Sequence, residues 1–101
     1  MSRSEVPTLK VSVKFYAHLR DLVDKKQKID LDLEDSATVG QLVQKLILDS
    51  KIKEHLVDEK NELRSEITIL RNGREIKFLE GLDTVLNHED EISIFPIVAG
   101  G

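Results

Sequence analysis

Hydrophobic and polar residues alternate from Leu9 to Phe15 and again from Ile29 to Leu33, and each alternation predicts a strand with one buried face. In the first, Leu9, Val11, Val13 and Phe15 are separated by Lys10, Ser12 and Lys14. In the second, Ile29, Leu31 and Leu33 alternate with Asp30, Asp32 and Glu34, which point outward. The two strands are expected to pair antiparallel. Between them, Ala17, Leu19 and Leu22-Val23 fit a short helical segment that ends in the basic turn Lys25-Lys26-Gln27-Lys28. Residues 1–8 are polar and include Pro7, which predicts a disordered N-terminal tail ahead of a domain over 9–96.

The period then changes. Thr38-Val39-Gly40-Gln41 fits a capping box, in which the Thr38 hydroxyl accepts a backbone N–H and the Gln41 side chain reaches back. Val39, Leu42, Val43, Leu46 and Ile47 follow as one apolar stripe, so a helix is predicted from about Val39 to about Asp49. From Asp49 to Glu66 ten of eighteen residues are charged, and only Ile52, Leu56, Val57 and Leu63 could anchor a surface-lying, partly helical connection. A strand is predicted from Glu66 to Arg71. Asn72-Gly73 marks a two-residue hairpin turn, because both central positions of a type I′ turn need positive φ. The next strand should run from Arg74 to Phe78, and Gly81-Leu82-Asp83-Thr84 suggests a short helical turn with Leu82, Val85 and Leu86 plugging the core. A last strand, Ile92 to Phe95, should stop at Pro96. One amphipathic helix on one face of a mixed sheet of about five strands is a two-layer α+β arrangement.

Composition removes several kinds of chemistry. Hydrophobic residues make up 40% and charged residues 34% of 101 positions, a globular balance with no run long enough for a membrane helix. The N-terminal residues lack the apolar segment of a secretory signal, which predicts a cytoplasmic protein. A net charge of −4 does not favour nucleic acid. Without cysteine there is no disulfide, thiolate ligand, cysteine nucleophile or side-chain persulfide. His18, His55 and His88 have no metal-ligand spacing and read as surface or packing residues. Asp30, Asp32 and Glu34 resemble the start of a calcium loop, but Asp35 stands where such a loop needs glycine. No cofactor or metal is expected to bind.

The C-terminal residues differ from the rest. After Pro96 the side chains taper through Ile97, Val98 and Ala99 to Gly100 and Gly101. Two glycines without Cβ make a thin backbone that can thread a narrow channel. Residues 97–101 therefore read as a flexible tail, and at ~3.3 Å per residue the reach from Pro96 is about 20 Å. A carboxylate delivered that far could be activated with ATP as an acyl-adenylate and then taken by a sulfur or nitrogen nucleophile.

From Leu9 to Gly101 the chain resembles the MoaD/ThiS sulfur-carrier family of ubiquitin-like β-grasp proteins. The matching stretches run from Val13 to Leu22, from Ala37 to Leu46, from Asn72 to Arg74, from Gly81 to Leu86 and from Asp90 to Gly101. Phe95-Pro96 ahead of Val98-Ala99-Gly100-Gly101 is the most specific of them and is most similar to the small subunit of molybdopterin synthase. The resemblance implies a carrier protein rather than an enzyme acting alone. An E1-like activating enzyme (MoeB/ThiF-like) would use ATP to adenylate Gly101, and a sulfur donor would convert it to a thiocarboxylate. The tail would then enter the large synthase subunit (MoaE-like) and give up sulfur in molybdenum or tungsten cofactor biosynthesis. Gly101 would carry the reacting carbonyl and Gly100 give clearance. Tyr16 and Phe95, with Pro96, Ile97, Val98 and Ala99, would meet the partners.

Two departures stand out. His88-Glu89 replaces the family's usual Asp-Gly before the last strand, which predicts a turn of different shape, and Ile97 replaces a second proline. The charged stretch from Asp49 to Glu66 is similar to that of archaeal small modifiers and ubiquitin-related modifiers, which are joined to lysines or supply sulfur for tRNA thiolation. A carrier of the thiamine pathway would end in the same way, and a β-grasp interaction module would use the open sheet face without any tail chemistry.

Overall fold

The computed structural model describes residues 8–17, 19 and 28–96. Strands β1 (Thr8–Phe15) and β2 (Lys28–Glu34) form the antiparallel pair that their alternations predict, with Val11 opposite Leu31 and Val13 opposite Ile29. Leu9, Val11, Val13 and Phe15 are buried, whereas Lys10 is exposed. The helix α1 (Val39–Leu46) follows, and its capping box is formed: Gln41 N donates to Thr38 Oγ1 at 3.2 Å and Thr38 N donates to Gln41 Oε1 at 2.9 Å. Val39, Leu42, Val43 and Leu46 are buried against the sheet.

α1 is shorter than its apolar stripe suggests. Ile47 is its C-cap and only half-buried, and Asp49 begins a second helix instead of ending the first. The Asp49 carboxylate accepts from Lys51 N at 2.9 Å and caps α2 (Ser50–Leu56). α2 is less superficial than its charge implies, because Ile52, Leu56 and Val57 join the core. Asp58 Oδ1 then accepts from Lys60 N and Glu62 N, closing a turn that lets Val57 bridge to Leu63.

Three further strands complete the sheet: β3 (Ile67–Arg71), β4 (Arg74–Glu75) and β5 (Glu91–Pro96), in the order β2-β1-β5-β3-β4. β5 lies in the middle, parallel to β1 and antiparallel to β3. The Asn72-Gly73 turn has φ of 50° and 87°, as its type requires. β4 lasts two residues rather than five. Ile76 turns into the core, and Ile76–Phe78 form a 3-10 turn closed by Leu79 N donating to Ile76 O, which leaves Phe78 exposed.

Of the three residues expected to plug the core after Gly81, only Leu86 does so. Leu82 and Val85 are exposed, because the 3-10 turn Gly81–Asp83 holds Leu82 over Gly40 and Val85 bridges Thr38 at the domain edge. β5 also runs one residue past its predicted stop. Pro96 stands opposite Ile67, at the strand's end where the missing N–H breaks no interior ladder. Leu19 is buried and Ala17 exposed; the rest of the predicted helical segment, with His18, lies outside the described residues. Among the described residues no helix is long and apolar enough to cross a membrane.

Candidate functional site: the end of the central strand

β5 positions the site. Ile92 and Ile94 have no exposed surface and fix the strand against the core, so alternation sends Ser93 and Phe95 to the opposite face. Phe95 lies opposite Thr68 of β3. On the other side, Tyr16 N donates to Ile94 O at 3.1 Å, which extends β1 alongside the end of β5. The Tyr16 and Phe95 rings meet edge to face, with centroids 5.8 Å apart and planes at 79°. Such a pair contributes about 0.5–1.5 kcal/mol beyond its buried area. Tyr16 is 41% exposed and Phe95 half-buried, so the corner shows aromatic surface to solvent while the pair steadies itself.

The chain therefore brings Tyr16, Phe95 and Pro96 to one corner. Ile97, Val98, Ala99, Gly100 and Gly101, the predicted tail and its reacting end, lie outside the described residues. Away from the aromatic corner this sheet face is largely polar, with half-buried Leu70 opposite Ser93. Ser12 Oγ donates to Asp30 at 3.2 Å, and Lys14 Nζ meets Glu91 at 3.0 Å. Its hydrogen bond to Glu91 holds the Lys14 ammonium above its ordinary pKa, and the Glu91 charge adds to that.

One buried cluster has no counterpart in the sequence pattern. Asp90 is 6% exposed and accepts from Arg71 Nε at 2.8 Å, Asn72 Nδ2 at 2.9 Å and Asn87 N at 2.8 Å. Asn72 Oδ1 in turn accepts from Glu91 N at 2.8 Å. Burial pushes the Asp90 carboxyl up, but the Asn87 amide, Arg71 and Asn72 together outweigh it and hold the group below the usual carboxylate range. This network ties the β3–β4 turn to the start of β5. An acid within an acidic run carries no pattern that marks it as buried.

In the neighbouring turn His88-Glu89 takes up a glycine-like backbone conformation at Glu89 rather than a visibly different one. Glu89 takes φ of 70°, a conformation that glycine adopts without cost, and its N–H donates to Lys10 O at 2.7 Å. His88 Nδ1 accepts from Lys10 N at 3.1 Å, so a side chain stands in for a backbone acceptor where β1 and β5 begin to pair. Among the described residues no group of three or more His, Asp or Glu could hold a metal ion. A groove of about 400 Å³ runs along α2 and the following turn, past Lys53, Val57, Asp58 and Arg64, and includes none of the predicted site residues.

A mixed five-stranded sheet grasping one main helix, with its central strand leading to the final residues, defines the ubiquitin-like β-grasp class. The family model described as the ThiS family matches residues 13–101. The chain belongs to that family, whose members are small sulfur carriers and ubiquitin-like modifiers. Small archaeal modifier protein 3 of Haloferax volcanii is 33% identical over 93 residues, spanning 92% of this chain and 100% of that protein. A candidate sulfur carrier protein of Archaeoglobus fulgidus is 39% identical over 74 residues, 71% of this chain and 84% of its own length. The solution structure of a Haloferax volcanii protein, 30% identical, superposes with a TM-score of 0.83 and covers 100% of this chain and 94% of that one.

Proposed function

We propose that this chain carries sulfur on the carboxylate of Gly101 and serves as the small, sulfur-donating subunit of molybdopterin synthase. The observation that supports this reading is the family match, which extends through residue 101 and so takes in the tail as well as the fold. With no cysteine in the chain, the tail carboxylate is the natural place for sulfur to ride. In this reading an E1-like enzyme binds ATP, and the Gly101 carboxylate attacks the α-phosphate with loss of pyrophosphate. A sulfur nucleophile from the donor displaces AMP from the acyl carbon and leaves a thiocarboxylate. Gly100 gives the clearance that lets Gly101 enter the activating enzyme and then the large synthase subunit. Ile97, Val98 and Ala99 line the path, and Tyr16, Phe95 and Pro96 meet the partner's rim.

A second reading is favoured by the Haloferax modifier matched over its whole length. There the same adenylate ends in an isopeptide bond to a lysine. One experiment separates the two: incubation with the cognate activating enzyme, ATP and sulfide, followed by intact-mass analysis, first alone and then in a lysate of the source cells. The carrier reading expects exchange of one oxygen for sulfur at Gly101 and sulfur transfer to the pterin precursor once the large subunit is added. Lysine-linked adducts without that transfer would favour the modifier. No change at Gly101 under either condition would exclude both.

A further inference from the structure

We propose that Asn72 is a deamidation site and that its conversion releases the start of β5 in one direction only. Asn72-Gly73 is the one Asn-Gly pair in the chain. Glycine at the second position leaves its backbone nitrogen unshielded by a side chain, and nothing lies within 4 Å of where a Gly73 Cβ would stand. That nitrogen is the nucleophile of the reaction. Gly73 N attacks Asn72 Cγ, the N–H proton passes to solvent, the bond from Cγ to Nδ2 breaks and ammonia leaves. Water then opens the cyclic imide at either carbonyl, giving aspartate or isoaspartate at position 72.

The folded chain holds this chemistry back. Asn72 Nδ2 donates to Asp90 Oδ1 at 2.9 Å, and Asn72 Oδ1 accepts from Glu91 N at 2.8 Å. The backbone of Asn72 is tied as well, its N–H donating to Glu91 O at 2.8 Å. Both ends of the carboxamide are thus engaged, and Cγ reaches Gly73 N only when the turn comes off β5. Once the amide is gone the latch does not re-form. A carboxylate at position 72 has no proton for Asp90 Oδ1 and sets two anions in the space of one hydrogen bond. Isoaspartate also lengthens the backbone of a two-residue turn whose register pairs Arg71 with Arg74. Each opening of the turn therefore risks a permanent loss of the Asp90 network.

The test follows the full chain at mildly alkaline pH by peptide mapping and enzymatic isoaspartate labelling. It compares native wild type, wild type in denaturant and Asp90→Ala. Loss of intact Asn72 should run about tenfold faster in Asp90→Ala than in the native chain, the scale of one hydrogen bond to a charged group, and faster still in denaturant, where all three ties of Asn72 are lost. Should Asp90→Ala not fold, the native-to-denatured ratio of the wild type decides alone. Separately, Asn72→Asp should melt below wild type and show faster amide exchange at Glu91 and Ile92. An Asn72 that stays intact in denaturant, equal rates in the native and denatured chain, or an Asn72→Asp variant as stable as wild type would overturn the proposal.

Discussion

The two faces of the sheet put the same strands to different uses. On the inner face Val11, Val13, Phe15, Ile92 and Ile94 have no exposed surface, and Leu42 and Val39 of α1 close over them with none either. Each such side chain contributes about 1.5–3 kcal/mol by leaving water. On the outer face the positions between them carry Lys10, Ser12, Lys14 and Ser93, with Glu91 paired to Lys14 and Asp30 to Ser12. Exposed pairs of this kind add little to stability beside a buried aliphatic residue. Half-buried Leu70, opposite Ser93, and Phe95 depart from this pattern, and Phe95 is a large ring one residue from fully buried Ile94. Recognition is therefore expected near Phe95, an apolar residue that the inner face does not need, next to the last residue of the central strand.

Damage to each face in turn should have unlike consequences. On the inner side Leu46 is 3% exposed, and Leu46→Ala should cost roughly 2–5 kcal/mol in chemical denaturation, the range for a buried large-to-small change. A loss well under that range would mean that α1 does not seal the inner face. On the outer side Phe95→Ala should destabilise the fold less than Leu46→Ala, since the ring is only half-buried and gives up one edge-to-face contact of about 0.5–1.5 kcal/mol beyond its area. It should weaken binding to the large synthase subunit by at least ~2 kcal/mol in a calorimetric titration. Equal binding by the variant, or simple unfolding, would move Phe95 from recognition to packing.

Two smaller effects concern the joint between the faces at the start of β5. The depressed Asp90 carboxyl contributes stability above the ordinary carboxylate pKa, and that contribution is lost as pH falls through its lower folded value. Melting curves taken from neutral to acid pH should therefore show wild type and Asp90→Asn converging on the acid side. A gap that stays constant would mean that the carboxylate charge is not what the network uses. The smallest effect is expected at Glu89. Glu89→Gly relieves a left-handed residue at the expense of a more flexible unfolded chain, for a net gain of up to about 1 kcal/mol. A loss of stability would show that the Glu89 side chain matters more than its backbone.

What was legible in the sequence follows the same division. Alternation gave β1, β2 and the inward set of β5 because a buried face imposes period two on its residues. Thr38 and Gln41 gave the start of α1 because capping chemistry is local. The failures lie where tertiary contacts override local pattern. Arg74 to Phe78 has strand-like composition, yet Ile76 is drawn into the core after two paired residues and Phe78 is left outside. Between Asp49 and Glu66 the anchors Ile52, Leu56 and Val57 were legible and are buried, but not that Asp49 would cap a separate helix there. Of the candidate site, Tyr16 and Phe95 could be placed on the outer face from strand phase, whereas Pro96 has the phase of Ile92 and Ile94 and reaches the corner as the last residue of β5. The Asp90 network joins residues 18 to 19 positions apart through side chains that no spacing rule connects.

In the proposed function the Gly101 carboxylate is the reacting group and the fold only presents it. ATP–pyrophosphate exchange with the cognate activating enzyme tests this most directly, run on the wild type, on the chain lacking Gly101 and on the chain extended by one residue, with thermal unfolding measured in parallel. Exchange should be abolished in both altered chains while their melting temperatures stay at the wild-type value. Full exchange by the extended chain would show that the Gly101 carboxylate is not the reacting group.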